Sequence, residues 1–368
     1  MSANYPVTII IPTLNESENI RSLIDTVNET FRRDGTTVPE ILVMDDNSLD
    51  GTIDIVTRAR EEIGDNVRII VRTENHGLSE SVIDGFARSS SDIIVVIDAD
   101  FSHPIDTAVQ LYHEIRNGAD IAIGSRYIPG GDIVGWPFKR KLISWGATFI
   151  ARMLFPSISD PVSGFFAVHR RVIDGADLNP IGYKILVEVL GKGRWTTVKE
   201  VPYTFTDRKS GTSKLGTGTI VQYVQHIVRI GLNGLTHPGT ASSREVRRVL
   251  GFILVGLSGV VVNMLILWAL AEILGIYYLS AAVVAIEASI INNFVLNTYL
   301  VFKARDRLLR RLAIFHGLSA AGVLINMSIL VGLTELMGIY YLLSEAIAII
   351  VAFGWNIVMN RRITWVDA

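Results

Sequence analysis

The pattern of hydrophobic and polar positions divides the chain in two. Through about residue 235, short apolar runs ending in polar residues alternate with stretches of helical periodicity, and from about Leu250 long apolar runs dominate. In the first part Val7–Ile11, Ile41–Met44, Val67–Val71, Ile93–Asp100 and Ile121–Gly124 read as strands. Helices are expected at Thr52–Ile63, Ser79–Ser89 and Ile105–Asn117. Strand and helix in alternation mean βαβ units and a mostly parallel sheet. A further helix after Pro12 should be capped by Asn15, with Glu18 three residues on completing a capping box.

Ile93–Ile97 is apolar without alternation, the mark of a strand covered on both faces. It runs into Asp98-Ala99-Asp100. In extended backbone, positions i and i+2 share a side, so the two carboxylates are expected to share one hard cation. Polar residues also follow the first two strands, at Asn15-Glu16 and Asp45-Asp46. A row of this kind along the C-terminal edge of a parallel sheet describes a nucleotide cleft. No G-x-G-x-x-G follows the first strand and no Walker A lysine loop is present, so the dinucleotide and P-loop readings lose their main support.

Between Trp136 and Phe155, Lys139, Arg140, Lys141 and Arg152 are set among Leu142, Ile143, Trp145, Phe149, Ile150, Met153 and Leu154, the make-up of an amphipathic helix lying in a membrane interface. Gly218–Leu235 is a second such candidate, and Asp207–Lys214 between them reads as a basic loop. The soluble domain is expected over 1–235, a linker over 236–248 and a membrane domain over 249–368.

Phe252–Leu274, Tyr278–Phe302, Leu312–Met337 and Tyr341–Met359 are each long enough to cross a bilayer as helices. The last two repeat the first two at a fixed offset. Asn263 pairs with Asn326, Glu272 with Glu335, Gly275-Ile276-Tyr277-Tyr278 with Gly338-Ile339-Tyr340-Tyr341, and Asn293 with Asn356. Arg244, Arg247 and Arg248 precede the first span, Lys303 to Arg311 separates the copies, and Arg361 and Arg362 follow the last. The positive-inside rule then places both termini and the soluble domain in the cytosol. The repeated asparagines read as interhelical hydrogen-bond partners, and Glu287, whose repeat partner is Ile350, as a hydrogen-bonded packing residue.

Composition narrows the picture. The 368 residues carry a net charge of -2, a mean hydropathy of +0.38 and no cysteine. That excludes disulfides, thiolate metal sites and cysteine nucleophiles, and gives no ground for nucleic-acid binding. The segment Met1–Pro12 lacks the marks of a signal peptide.

Ile9–Glu16, Val43–Ser48 and Asp98–Pro104 resemble inverting family 2 glycosyltransferases of the GT-A fold, a Rossmann-like, mostly parallel sheet flanked by helices. Ile123–Tyr127, Asp160–Phe166 and Asn179–Lys184 narrow the resemblance to dolichyl-phosphate mannose synthases, and the membrane half resembles four-span modules of the GtrA type. The resemblance implies transfer of mannose from GDP-mannose to dolichyl or another polyprenyl phosphate, with inversion. It implies that Pro12, Leu14, Asn15, Glu16, Asp45, Asp46, Asp98 and Ala99 hold the nucleotide, and that Asp98 and Asp100 hold Mg2+ or Mn2+ on its diphosphate. Some relatives carry Gln at the position of Ser102, which is expected here as a weaker third ligand or one acting through water.

Arg126, Arg140 and Arg208 are assigned to the acceptor phosphate, which guanidinium grips bidentately, with Ser144 and Lys214 beside them. Asp100 and the three arginines form the expected catalytic set, while His103 reads as a turn residue. Such an acceptor is ionised at neutral pH, so no strong general base is needed. A processive polysaccharide synthase would need Gln-x-x-Arg-Trp, and Gln225–Arg229 lacks the tryptophan. A UDP-glucose or UDP-N-acetylglucosamine donor on the same scaffold is the nearer alternative, and a lipid-sugar flippase with a sensor domain the more distant one. The expected partners are thus GDP-mannose, a polyprenyl phosphate, membrane lipid and, through the spans, further copies of the chain.

Overall fold

The computed structural model describes residues 5–35, 38–206, 217–233, 243–304, 306–339 and 341–365. The chain divides into two compact units, Met1–Ser243 and Arg244–Ala368.

The first unit runs β1 (Thr8–Thr13), α1 (Ile20–Arg33), β2 (Glu40–Asp45), α2 (Thr52–Ile63), β3 (Val67–Val71), α3 (Leu78–Arg88), β4 (Ile93–Val96), α4 (Ile105–Arg116) and β5 (Ile121–Ser125). It continues with β6 (Asp132–Val134), α5 (Phe138–Arg152), β7 (Phe166–His169), α6 (Arg170–Ile173), α7 (Ile185–Lys192), β8 (Val198–Pro202), β9 (Thr204–Thr206) and α8 (Thr217–Asn233). Seven strands form one sheet in the order β3-β2-β1-β4-β7-β5-β8, and β6 pairs with β9. All neighbours in the large sheet are parallel except β7, which is antiparallel to both β4 and β5. Ile9, Ile10, Ile11, Ile41, Leu42 and Val43 are fully buried, so the central strands are covered on both faces. Helix α1 supplies part of that cover with Ile20, Leu23, Ile24, Val27 and Phe31, one stripe at helical spacing. This is the GT-A architecture.

Two local expectations are corrected. Helix α1 begins at Ile20, with Asn19 at its N-cap and no side-chain cap. Asn15 instead sits in the left-handed region (φ 56) and its side-chain oxygen accepts from the Leu49 amide at 3.0 Å, which ties two loops together. Strand β4 stops at Val96, four residues short of Asp100, so a turn and not an extended strand presents the two carboxylates.

In the second unit, α9 (Ser243–Trp268), α10 (Tyr278–Leu296), α11 (Leu308–Val331) and α12 (Tyr341–Met359) each run into a five-residue π-helical turn. Helix α9 starts inside the stretch expected as linker, whose residues 236–242 lie outside those described. The sequence repeat is also a structural one. Gly275 and Gly338 both take a left-handed φ, 64 and 65°, where a side chain would strain the hairpin. Gly259 packs against the Asn293 amide as Gly322 does against Asn356. The equivalent residues Phe302 and Trp365 stack on each other, with ring centroids 4.3 Å apart, and the equivalent Phe252 and Phe315 flank that stack. Among the described residues, Arg248–Ile266, Val283–Val301 and Leu308–Leu336 are long and apolar enough to cross a membrane.

Candidate active site

The site is built along the C-terminal edge of the sheet, where β1, β2, β4 and β5 release their loops and the antiparallel β7 begins. After β4 the backbone turns through Asp98–Phe101, and Phe101 takes a positive φ of 58°. His103 fixes this turn from beneath. Its Nδ1 accepts from the Asp98 amide at 3.0 Å, and its ring stacks on Phe165 at 4.6 Å. Burial lowers the pKa of the imidazole, while Asp98 and Asp100 pull the other way. The buried imidazole therefore lies within the field of both carboxylates. Asp100 Oδ1 accepts from the Ser102 amide at 3.1 Å, and the buried Ser102 Oγ has no protein partner. Two carboxylates and an unsatisfied hydroxyl are hard oxygen donors, which fit a small divalent cation. Among the described residues no group of three or more His, Asp or Glu forms a metal cage. Such an ion would need further oxygens from its substrate or from water.

The loops after β1 and β2 are stitched into one surface. The Asn15 amide donates to Ser48 Oγ at 2.8 Å, and Ser48 donates to the fully buried Asp45 carboxylate from both its amide and its hydroxyl. Asp46 accepts from Arg72, Ser81 and the Gly77 amide. Asp45 and Asp46 thus hold the shape of these loops. Leu14 and Asn15 lie exposed on that surface, Pro12 and Glu16 are partly buried, and Ala99 is buried beneath the β4 turn.

On the other side of β4, the chain needs glycine at Gly124, because a β-carbon there would fall 2.6 Å from the Phe165 ring. This close approach seats Asp160–Phe165 beside the end of β5. Asp160, fully buried, accepts from Nε and Nη2 of Arg126 at 2.8 and 2.9 Å and from its amide at 3.1 Å. Burial works against the guanidinium's charge, but Asp160 outweighs it and raises the Arg126 pKa above its ordinary value. Arg126 and Arg140 both lie over the Trp136 ring, at 5.8 and 4.2 Å from its centre. Ser144 shares a hydrogen bond of 3.1 Å with the Tyr127 hydroxyl. The predicted groups Arg126, Arg140 and Ser144 are therefore brought to one cluster, while Arg208 and Lys214 lie outside the described residues.

Sequence reading gave no role to Lys184, although it closes one of the quoted motifs. Its Nζ donates to the Val162 carbonyl at 3.1 Å. Burial pushes its pKa down to about 8, Arg126 adds to the effect, and Asp160 and Asp98 oppose it. Lys184 thus feels both the acidic turn and the arginine cluster. One helical turn beyond Lys184, α7 carries Glu188. That carboxylate, fully buried, accepts from the Asn179 amide at 2.7 Å, Lys192 at 2.7 Å and His226 of α8 at 2.6 Å. Burial alone would raise its pKa, but these three donors bring it to about 2. The signal for Lys184 was available in principle, since a lysine that follows Asn-Pro-Ile-Gly-Tyr sits at a turn. Only the fold tells which way that turn faces.

Residues 8–175 match the glycosyl transferase family 2 model, and residues 251–365 match the GtrA/DPMS transmembrane domain. The two matches define a family 2 glycosyl transferase joined to a membrane module. The dolichol-phosphate mannosyltransferase of Pyrococcus furiosus is 42% identical over 98% of this chain and 99% of its own. That of Mycosarcoma maydis is 35% identical over 62% of this chain and 80% of its own. Among solved structures, glucosyl-3-phosphoglycerate synthase from Mycobacterium tuberculosis aligns at 19% identity with a TM-score of 0.46, covering 62% of this chain and 79% of that one. The chain belongs to the dolichol-phosphate mannosyltransferase family, and it is a membrane protein.

Proposed function

We propose that this chain transfers mannose from GDP-mannose to dolichyl or another polyprenyl phosphate, with inversion at the sugar's anomeric carbon. The observation that carries this reading is the meeting of the acidic β4 turn with Arg126 and Arg140 at one sheet edge, with Lys184 in the field of both. Full-length similarity to a dolichol-phosphate mannosyltransferase supports the same donor and acceptor.

The loops Pro12–Glu16 and Asp45–Asn47 hold the nucleoside, kept in shape by Asn15, Ser48, Asp45 and Asp46. Asp98, Asp100 and Ser102 would hold Mg2+ or Mn2+, which when bound supplies Lewis-acid stabilisation to the departing diphosphate. Arg126, Arg140 and Ser144, with Arg208 and Lys214 from the basic loop, hold the acceptor phosphate. Two anions must approach each other in this reaction, and the arginines neutralise one of them. Lys184, in the field of both the acidic turn and the arginines, would offset the approach of phosphate to diphosphate. An acceptor phosphate oxygen forms its bond to the anomeric carbon as the bond from that carbon to GDP breaks. An α-linked donor gives a β-linked lipid product. The phosphate brings its own negative charge, so no protein group has to remove a proton. His103, neutral and bonded to the Asp98 amide, positions the turn and does not act as a base.

Basic segments flanking the spans support, by the positive-inside rule, a catalytic unit and both termini on the cytosolic side. Because the chain has no cysteine, Tyr277→Cys should label from outside intact cells and Arg307→Cys should not. The reaction itself is tested by a donor screen in detergent with Mg2+ or Mn2+ and a short polyprenyl phosphate. GDP-mannose should turn over faster than UDP-glucose or UDP-N-acetylglucosamine. Equal or reversed rates would overturn the mannose assignment.

A further inference from the structure

Within the spans, one ionisable pair has no place in the repeat. Glu287 lies at the middle of α10, and its carboxylate is 3.4 Å from Nε2 of His316 on α11. Both belong to segments long and apolar enough to cross a membrane. The equivalent positions in the other copy are Ile350 and Ile253, so both polar members occur together in one copy and both are replaced by isoleucine in the other. Joint replacement marks the two as a unit. The ladder of packing contacts that the copies share, Gly259 with Asn293 and Gly322 with Asn356, does not include them.

The pair also faces outward. Half of the Glu287 side chain and 41% of that of His316 remain open within the four-helix unit. A carboxylate and an imidazole left open to hydrocarbon are strongly disfavoured, and such residues turn to a polar partner. The surface around them is apolar and accessible. Val283 and Ile291 flank Glu287 on its own helix face, Val323 and Met327 continue the face of His316, and Gly317 beside it has nothing within reach of an added β-carbon. An apolar ridge with a single polar centre is how helices associate in bilayers.

We propose that the α10–α11 face is the surface through which two copies of this chain associate in the membrane. A two-fold contact is self-complementary, residue i of one copy meeting residue j of the other and the reverse. A surface whose centre carries one acceptor carboxylate and one imidazole meets that requirement with its own copy. Glu287 of each chain reaches His316 of the other, and all four polar groups leave the hydrocarbon together. A lipid phosphate fits this centre less well, because Glu287 repels it.

The absence of native cysteine makes the test direct. Val283→Cys keeps the polar pair intact, and Val260→Cys places a thiol at the repeat equivalent of Val323 in the other copy. Each full-length variant is reconstituted in phosphatidylcholine vesicles and oxidised with copper phenanthroline. Val283→Cys should form a disulfide-linked dimer and Val260→Cys should stay monomeric. Adding E287I and H316I to Val283→Cys installs the residues the other copy carries, and the dimer yield should fall about tenfold. A monomeric Val283→Cys protein would overturn the proposal, as would equal dimerisation of the two cysteine variants. So would a yield unchanged by the isoleucine pair, or one abolished by added polyprenyl phosphate, which would assign the face to lipid. If the isoleucine variant does not fold, the comparison of the two cysteine positions decides alone.

Discussion

The guanidinium of Arg126 and the carboxylate of Asp160 form a buried, two-pronged pair, Nε at 2.8 Å and Nη2 at 2.9 Å. This pair joins the end of β5 to the loop that enters β7. It also fixes the orientation of Arg126, the arginine proposed above for the acceptor phosphate. Arginine suits the task because its fork engages Asp160 along one edge and keeps its charge when buried.

Replacing Asp160 by Asn should therefore cost more than a hydrogen bond. The buried Arg126 charge would lose its counterion, and breaking one side of such a pair costs about 3 kcal/mol or more. The full-length variant should unfold earlier in a denaturant titration and lose transfer as Arg126 turns away. An unchanged midpoint would show that the site admits enough water to solvate the guanidinium.

Lys184→Met should separate stability from activity. Burial sets this ammonium at about 8, below its ordinary 10.5, so the unfolded chain binds the proton more tightly than the folded one. The native lysine is thus a stability cost that is complete below pH 8 and fades as pH rises toward 10.5. The methionine variant should be the more heat-resistant protein at pH 7, and its advantage should vanish by about pH 10.5. Its transfer rate should drop about a hundredfold, the usual effect of losing one positioned charge.

At the acidic turn, Asp100→Asn should slow transfer roughly a hundredfold or more. The smaller change is more telling. Ser102 Oγ is buried with no protein partner, so it is placed to serve a cation or the water on one. Ser102→Ala should raise the Mg2+ or Mn2+ concentration for half-maximal rate about tenfold. An unchanged metal requirement would remove Ser102 from the ligand set.

Glu188 is expected to report on acid. Its pKa is near 2 in the fold against an ordinary 4.5, because three donors converge on a carboxylate that burial alone would raise. A lowered carboxylate pKa gives stability that is complete above pH 4.5 and lost as pH falls through 2. Glu188→Gln should speed hydrogen exchange in α8 at neutral pH, and the gap to the native chain should close between pH 4.5 and 2. A gap that persists at pH 2 would mean that α8 docks without this carboxylate.

In the spans, Gly322→Ala would place a methyl group against the Asn356 amide. Overpacking of this kind costs about 1–3 kcal/mol. Gly317→Ala, where the added carbon meets open space, should be nearly neutral. Resistance of the two variants to unfolding in mixed micelles compares them directly.

Much of this was determined by the order of residues alone. Short apolar runs place β1, β2, β3 and β5 to within a residue or two, and β2 and β5 show why most plainly, since a strand buried on both faces leaves little room for a polar side chain. The membrane repeat was equally legible, since helices that must satisfy their own backbone in lipid need long apolar runs. The motifs carrying Asp98, Arg126 and Arg140 were visible as well. Tertiary structure alone decided where those motifs meet. Strand β7 has only four residues, and its reversal between β4 and β5 is a matter of pairing and not of composition. That reversal sets Asp160 beside Arg126. Asn15 abandoned its expected helix cap because a bond across to the neighbouring loop was available once β1 and β2 had paired. Lys184 acquired its meaning in the same way. A lysine in a turn says nothing of its neighbours, and its charge matters here because packing removed the water around it and set an acidic turn and two arginines within its field.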